Sequence, residues 1–238
     1  VGLALLVTGA CNPKTGSPPD APGQQPSDSA KMPAGQKSDP AVVNTPPTGP
    51  ADNRPVVAAF GDSLSAGFGA DPGKSYPDYL QKLVDKAGKN YKVYNAGVSG
   101  DTTTDGLERL PGILTLKPKI VVLELGGNDG LRGIPPATVK ANLDKMIVAL
   151  QGVGAKVILA GITLPRNYGP DYLKQFDSIY PELAAEHHLT RIPFLLAGVA
   201  TDKKLMQADG IHPTADGNRK VADTVFNYLK PSLTAAIK

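Results

Sequence analysis

Val56-Val57-Ala58-Ala59-Phe60-Gly61-Asp62-Ser63-Leu64-Ser65-Ala66-Gly67 opens the part of the chain that reads as a folded domain. Five apolar residues stop at a glycine and a polar turn. The run is too short for a helix and fits a strand buried on both faces. The same unit then recurs. Residues 76–86 have helical spacing, with Tyr79, Leu80, Leu83 and Val84 on one face. Residues 91–94 form a second strand, ended by Asn95-Ala96-Gly97. Residues 104–116 suggest a helix, with a break near Pro111. Residues 120–125 form a third strand, stopped by Gly126-Gly127. Residues 137–150 are amphipathic, with Val139, Leu143, Met146, Ile147 and Leu150 in helical register. Residues 156–162 give a fourth strand, 172–187 a helix interrupted or kinked at Pro181, 191–196 a fifth strand and 215–229 a closing helix.

Strands alternating with helices imply right-handed crossovers and a parallel sheet covered on both faces. The expected fold is a three-layer α/β/α domain. Five strands suit the flavodoxin-like order 2-1-3-4-5, although periodicity alone does not set that order. In such sheets ligands bind outside the carboxyl ends of the strands. Functional residues are therefore expected just after strands one, two and three, and in a late loop returning to that edge.

The rest of the 238 residues reads differently. Residues 1–11 form a short apolar run ending at Cys11, the single cysteine, which excludes an internal disulfide and a Cys-based metal site. The run is too short to span a bilayer as a helix. It fits the apolar region of a secretory signal, without a start Met or basic segment. The small residues before Cys11 resemble a bacterial lipobox, although Thr8 stands where Leu is usual. A plain export signal with an incidental cysteine is the alternative. Residues 12–54 are dense in Pro, Gly, Ser and Asp, which marks a disordered spacer. The domain itself is expected over residues 55–238. Net charge is only +3, with both signs interspersed and 5% aromatic residues. That excludes a nucleic-acid surface built on a basic patch or a stacking platform.

Four loops carry chemistry. Ser63 follows strand one and opens a helix, where negative charge is favoured; Asp62, Ser63 and Ser65 also serve as plain helix caps. After strand two, Gly97 and Gly100 let the backbone bring an N–H close to a ligand, and an ordinary turn would look the same. After strand three, Asn128 in Gly126-Gly127-Asn128-Asp129-Gly130 can aim its amide at the site or make a turn. Asp209-Gly210-Ile211-His212-Pro213 can set a carboxylate against one ring nitrogen and leave the other for a nucleophile, the logic of a Ser-His-Asp triad. His187 and His188 sit where a helix should end and read as structural. Singly, each motif serves as well for a cap or turn. Together, at one sheet edge, they do not.

Gly61-Asp62-Ser63-Leu64, Gly100, Asn128 and Asp209-x-x-His212 match the four blocks of the SGNH, or GDSL, hydrolase superfamily. Ser99-Gly100-Asp101-Thr102, the run from Glu124 to Gly133 and Asn167-Tyr168-Gly169 resemble its bacterial periplasmic acyl-CoA thioesterase, lysophospholipase and arylesterase subgroup. The resemblance implies the SGNH hydrolase fold. It implies Ser63 as nucleophile, His212 as base, Asp209 as its partner, and an oxyanion hole from the Ser63 N–H, the Gly100 N–H and the Asn128 amide. It implies a small acyl-ester or thioester substrate, no metal and no cofactor. The segments 133–137 and 164–168 would shape the acyl site, the first as a mobile loop. A carbohydrate O-acetyl esterase and an inactive binding module are the competing functions. A monomer, exported to the periplasm or envelope and tethered through lipidated Cys11, is expected.

Overall fold

The structure, a computed structural model, describes residues 52–234. The apolar run, Cys11 and the spacer up to residue 51 lie outside the described residues. The elements are β1 (Val56–Gly61), α1 (Ser63–Ala66), α2 (Tyr76–Lys86), β2 (Lys92–Gly97), α3 (Thr103–Thr115), β3 (Ile120–Glu124), α4 (Gly127–Leu131), α5 (Pro136–Gly152), β4 (Lys156–Ala160), α6 (Pro170–Glu186), β5 (Thr190–Ile192) and α7 (Ala215–Leu229). The strands form one parallel sheet in the order β2-β1-β3-β4-β5, as the alternation predicts.

Right-handed crossovers explain the layers. The chain moves outward from β1 to β2, then reverses to build β3, β4 and β5. The reversal puts α2 and α7 together on one face, and α3, α5 and α6 side by side on the other. β1 and β3 are covered on both faces, so nearly every side chain in them is buried. Each fully buried aliphatic residue, such as Val121, Val122 or Leu123, contributes about 1.5–3 kcal/mol.

Several boundaries differ from the sequence expectation. Pro111 does not break α3, and Pro181 does not interrupt α6. Each proline removes one backbone donor, and packing against the sheet holds the rest of the helix. β5 ends at Ile192 because Pro193 cannot donate to the ladder. Leu195 and Leu196 are buried from a turn instead. The glycine-rich segment after β3 is a short helix, α4, and not merely a turn. At the other end, Arg54 bonds Asp52 and the Tyr91 carbonyl, so residues 52–54 are tied to the domain. Among the described residues, no helix is long and apolar enough to cross a membrane.

Candidate active site

The carboxyl ends of β1, β2 and β3 lie in register. Gly61 pairs with Gly97 on one side and with Glu124 on the other. A Cβ on Gly97 would collide with the backbone of Ser65 and Ala66, so this glycine lets β2 approach the α1 turn. Asp62 caps α1 through Oδ1, which accepts the Leu64 N–H at 3.0 Å. α1 is a single turn, and the dipole support expected for Ser63 is correspondingly small. Position comes from the capped turn instead.

The four sequence blocks meet at this edge. Ser63 Oγ lies 2.9 Å from His212 Nε2, and His212 Nδ1 lies 2.7 Å from Asp209 Oδ2. Asp209 Oδ1 also accepts the N–H groups of Ile211 and His212, at 2.9 and 3.0 Å. Partial burial pushes this carboxyl up, but its bonds to His212 and Ile211 outweigh that and hold it below its ordinary value. An ionised Asp209 accepts a hydrogen bond from Nδ1–H and leaves Nε2 to accept from Ser63. The Phe68 ring lies against the imidazole, with centroids 4.6 Å apart.

Gly100 has φ of +90°, a left-handed conformation that suits glycine and turns the chain sharply before Asp101. Asn128 donates through Nδ2 to the Asp101 carbonyl at 2.9 Å and to Asp62 Oδ2 at 3.2 Å. Asn128 thus links the α1 cap residue Asp62 to Asp101, the residue after Gly100. Both amide protons of Asn128 already have acceptors, which the motif reading did not foresee.

Glu124 and Asp129, at the same edge, lie in the quoted motifs, which give them no role of their own. Glu124 is fully buried beneath the Ser63 turn, where Oε2 accepts the Asp62 N–H at 3.3 Å and the Ser65 hydroxyl at 2.8 Å. Burial and the neighbouring Asp62 push its carboxyl well above the usual range. Burial likewise pushes Asp62 up to about 6. Asp129, also buried, accepts the Thr103 N–H at 2.8 Å and the Thr103 hydroxyl at 2.6 Å, which joins α3 to α4. Arg109, on α3, reaches the ends of β1 and β2.

The two expected wall segments, 133–137 and 164–168, are tied together through their immediate neighbours. Tyr168 and Tyr172 donate their hydroxyls to the Leu131 and Ile134 carbonyls at 3.0 and 2.8 Å, and Leu164 packs over Gly130. His187 and His188 are elsewhere, and His187 Nε2 lies 2.6 Å from Asp144 Oδ1. With Glu186, these two are the one group among the described residues whose metal-ligating atoms lie within 4.8 Å of one another. Asp144 is on α5, and Glu186 and His187 end α6 just before β5, away from the strand ends that carry Ser63.

The chain matches the GDSL-like Lipase/Acylhydrolase family over residues 59–220. It is 46% identical to Esterase TesA from Pseudomonas aeruginosa over 179 residues, 75% of this chain and 89% of the relative. It is 40% identical to Thioesterase 1/protease 1/lysophospholipase L1 from Escherichia coli over 177 residues, 74% of this chain and 84% of the relative. A crystal structure of TesA superposes with a TM-score of 0.72 at 45% identity, covering 75% of this chain and 99% of the other. A doubly covered parallel sheet with a Ser-His-Asp chain at its carboxyl edge, in this company, is a serine ester hydrolase. The chain belongs to the GDSL-like lipase/acylhydrolase family, the SGNH hydrolases.

Proposed function

We propose that this hydrolase cleaves small acyl esters and thioesters through an acyl-enzyme on Ser63. The unbroken hydrogen-bond chain from Asp209 through His212 to Ser63 carries the reading. His212 takes the hydroxyl proton as Ser63 Oγ attacks the acyl carbon. Asp209 holds the imidazole in the required tautomer and offsets its positive charge. The carbonyl oxygen becomes an oxyanion and meets the N–H groups of Ser63 and Gly100 and the amide of Asn128. One Asn128 proton stays anchored on Asp101. The other, on the longer 3.2 Å contact to Asp62, is the one the oxyanion takes. His212 then protonates the leaving group, and water, activated by the same ring, releases the acid.

The substrate class draws on the thioesterase and lysophospholipase in the relative's name and on apolar residues at the mouth. Phe68 and Ile211, beside His212, are 45% and 39% exposed. Ile134 and Leu164 offer further apolar surface from the two walls. Export and tethering through Cys11 are proposed from the sequence alone, and mass spectrometry of the mature N-terminus would show the acyl chains.

The deciding experiment compares Ser63→Ala with the unmodified enzyme on p-nitrophenyl butyrate, alongside fluorophosphonate labelling. The expected result is loss of turnover and of the covalent adduct in a variant that stays folded. Turnover at the original rate would refute the acyl-enzyme on Ser63. A series of p-nitrophenyl esters, acyl-CoA thioesters and acetylated sugars then tests the substrate class, which a strong preference for acetylated sugar would overturn.

A further inference from the structure

We propose that Arg109 is a positioning residue of the oxyanion site, its single guanidinium holding three chain segments in register. The inference rests on the roles assigned above to Ser63, Gly100 and Asn128. Arg109 Nη2 donates to the Gly61 carbonyl and Nη1 to the Ala96 carbonyl, both at 2.7 Å, and Nε donates to Asp101 Oδ2. Its guanidinium also lies over the Phe60 ring, 4.6 Å from the centroid.

Each anchor sits next to an oxyanion donor or governs one. Gly61 precedes Ser63 by two residues, so holding its carbonyl fixes the entry to the Ser63 turn. Asp101 follows Gly100 directly, and its own carbonyl is the 2.9 Å acceptor of the Asn128 amide. Ala96 is the last residue but one of β2, the strand that leads into the Gly100 loop. α3, which carries Arg109, is joined to α4, which carries Asn128, through Thr103 and the buried Asp129. Arg109 and Asn128 therefore stand on a common frame.

The chemistry of the side chain suits this work. A guanidinium presents its donors in a rigid planar fork, whereas a lysine offers a point charge on a flexible stem and cannot hold three divergent acceptors. Asp101 is only 8% exposed. Burial raises its carboxyl above the ordinary value, against the Arg109 bond, which lowers it. No hydrogen bond joins Arg109 to Ser63 or His212, so it acts through the segments it holds.

A double-mutant cycle between Arg109→Gln and Asn128→Ala, read on p-nitrophenyl butyrate, tests this. Removing one oxyanion donor costs ~100- to 1,000-fold, and misplacing one through R109Q should lower kcat by ~10- to 100-fold with KM within ~3-fold. In the N128A background the same replacement should cost clearly less than in the unmodified enzyme, because one of the donors it positions is gone. Losses that multiply, or an unchanged kcat in R109Q, would overturn the proposal; a merely structural residue gives multiplying losses. R109Q leaves the buried Asp101 carboxylate unpaired. If it fails to fold, Asp101→Asn/Arg109→Gln removes both charges and replaces it in the cycle, under the same criteria. The underlying site is checked separately. An active S63A would refute the acyl-enzyme, whereas an inactive S63A with multiplying Arg109 losses refutes only the positioning role.

Discussion

The side-chain amide of Gln207 donates to the Phe68 carbonyl at 2.7 Å and so joins the segment after the Ser63 turn to the loop that carries His212. The same amide donates to the Pro213 carbonyl at 2.9 Å, and the Gln207 N–H donates to the His212 carbonyl at 2.8 Å. A bridge between Met206 and Pro213 closes the loop behind it. The gap between nucleophile and base is thus spanned by a residue that touches neither reacting atom.

Gln207→Ala should therefore affect rate more than stability. Two lost hydrogen bonds cost about 0.5–1.5 kcal/mol each at most. Misplacing the imidazole relative to Ser63 is expected to lower kcat by roughly 10-fold, since small errors in reacting geometry are costly. Steady-state kinetics beside a thermal melt gives both numbers. A kcat equal to that of the unmodified enzyme would mean the loop holds its place without the brace.

Asp209→Asn should lower kcat by about 10³- to 10⁴-fold, as expected when the orienting carboxylate of a triad becomes an amide. Asn retains an oxygen for the two backbone N–H groups, so the loop should survive. What changes is the partner of Nδ1, where an amide N–H replaces an acceptor and favours the wrong tautomer. The check is kcat for p-nitrophenyl butyrate, and a loss smaller than ~10-fold contradicts the assignment.

The buried pair of Asp62 and Glu124 should make stability depend on pH. Both acids bind their protons more tightly in the folded chain than in the unfolded one. The unfolded state therefore loses protons first as pH rises, and the pair's contribution to stability falls. For Asp62 the fall runs from its ordinary 3.8 to about 6, and for Glu124 it begins at 4.5 and continues upward. Glu124→Gln keeps the shape of the neutral acid without the proton. Its stability relative to the unmodified enzyme should rise steadily as pH climbs past 4.5. Urea denaturation of both proteins between pH 4 and 9 measures this. Parallel curves would rule out the protonated pair.

The tyrosine clamp on the wall segments should matter most to long acyl chains. Tyr168→Phe/Tyr172→Phe removes the hydroxyls that hold the Leu131 and Ile134 carbonyls. KM for p-nitrophenyl octanoate is expected to rise ~3- to 10-fold, the equivalent of one or two modest hydrogen bonds, and that for the acetate to stay within ~2-fold. Equal changes for both esters would detach this wall from the acyl site.

Much of the architecture was legible because its signals are local. Helical spacing placed α2 and α7 to the residue, and glycines marked the ends of the first and third strands. Where signals compete, the sequence misled. Pro111 reads as a break, yet α3 continues through it. Asp105 and Arg109 are four residues apart on α3, yet they do not pair. Asp105 instead caps α3 at Thr102, and Arg109 turns to the strand ends.

By itself the sequence determined the alternation of strand and helix and the edge where the loops gather, and it singled out Ser63, Gly100, Asn128, Asp209 and His212 as candidates. Those follow from residue type and near spacing, which act within a turn or a strand. Tertiary structure alone decided that Ser63 and His212, 149 residues apart, meet at 2.9 Å. It alone brought Glu124 under the nucleophile turn, set Gln207 across the two loops and put Arg109 between β1, β2 and Asp101. Contacts at that separation depend on strand register and on which faces the helices cover, and no local pattern encodes them.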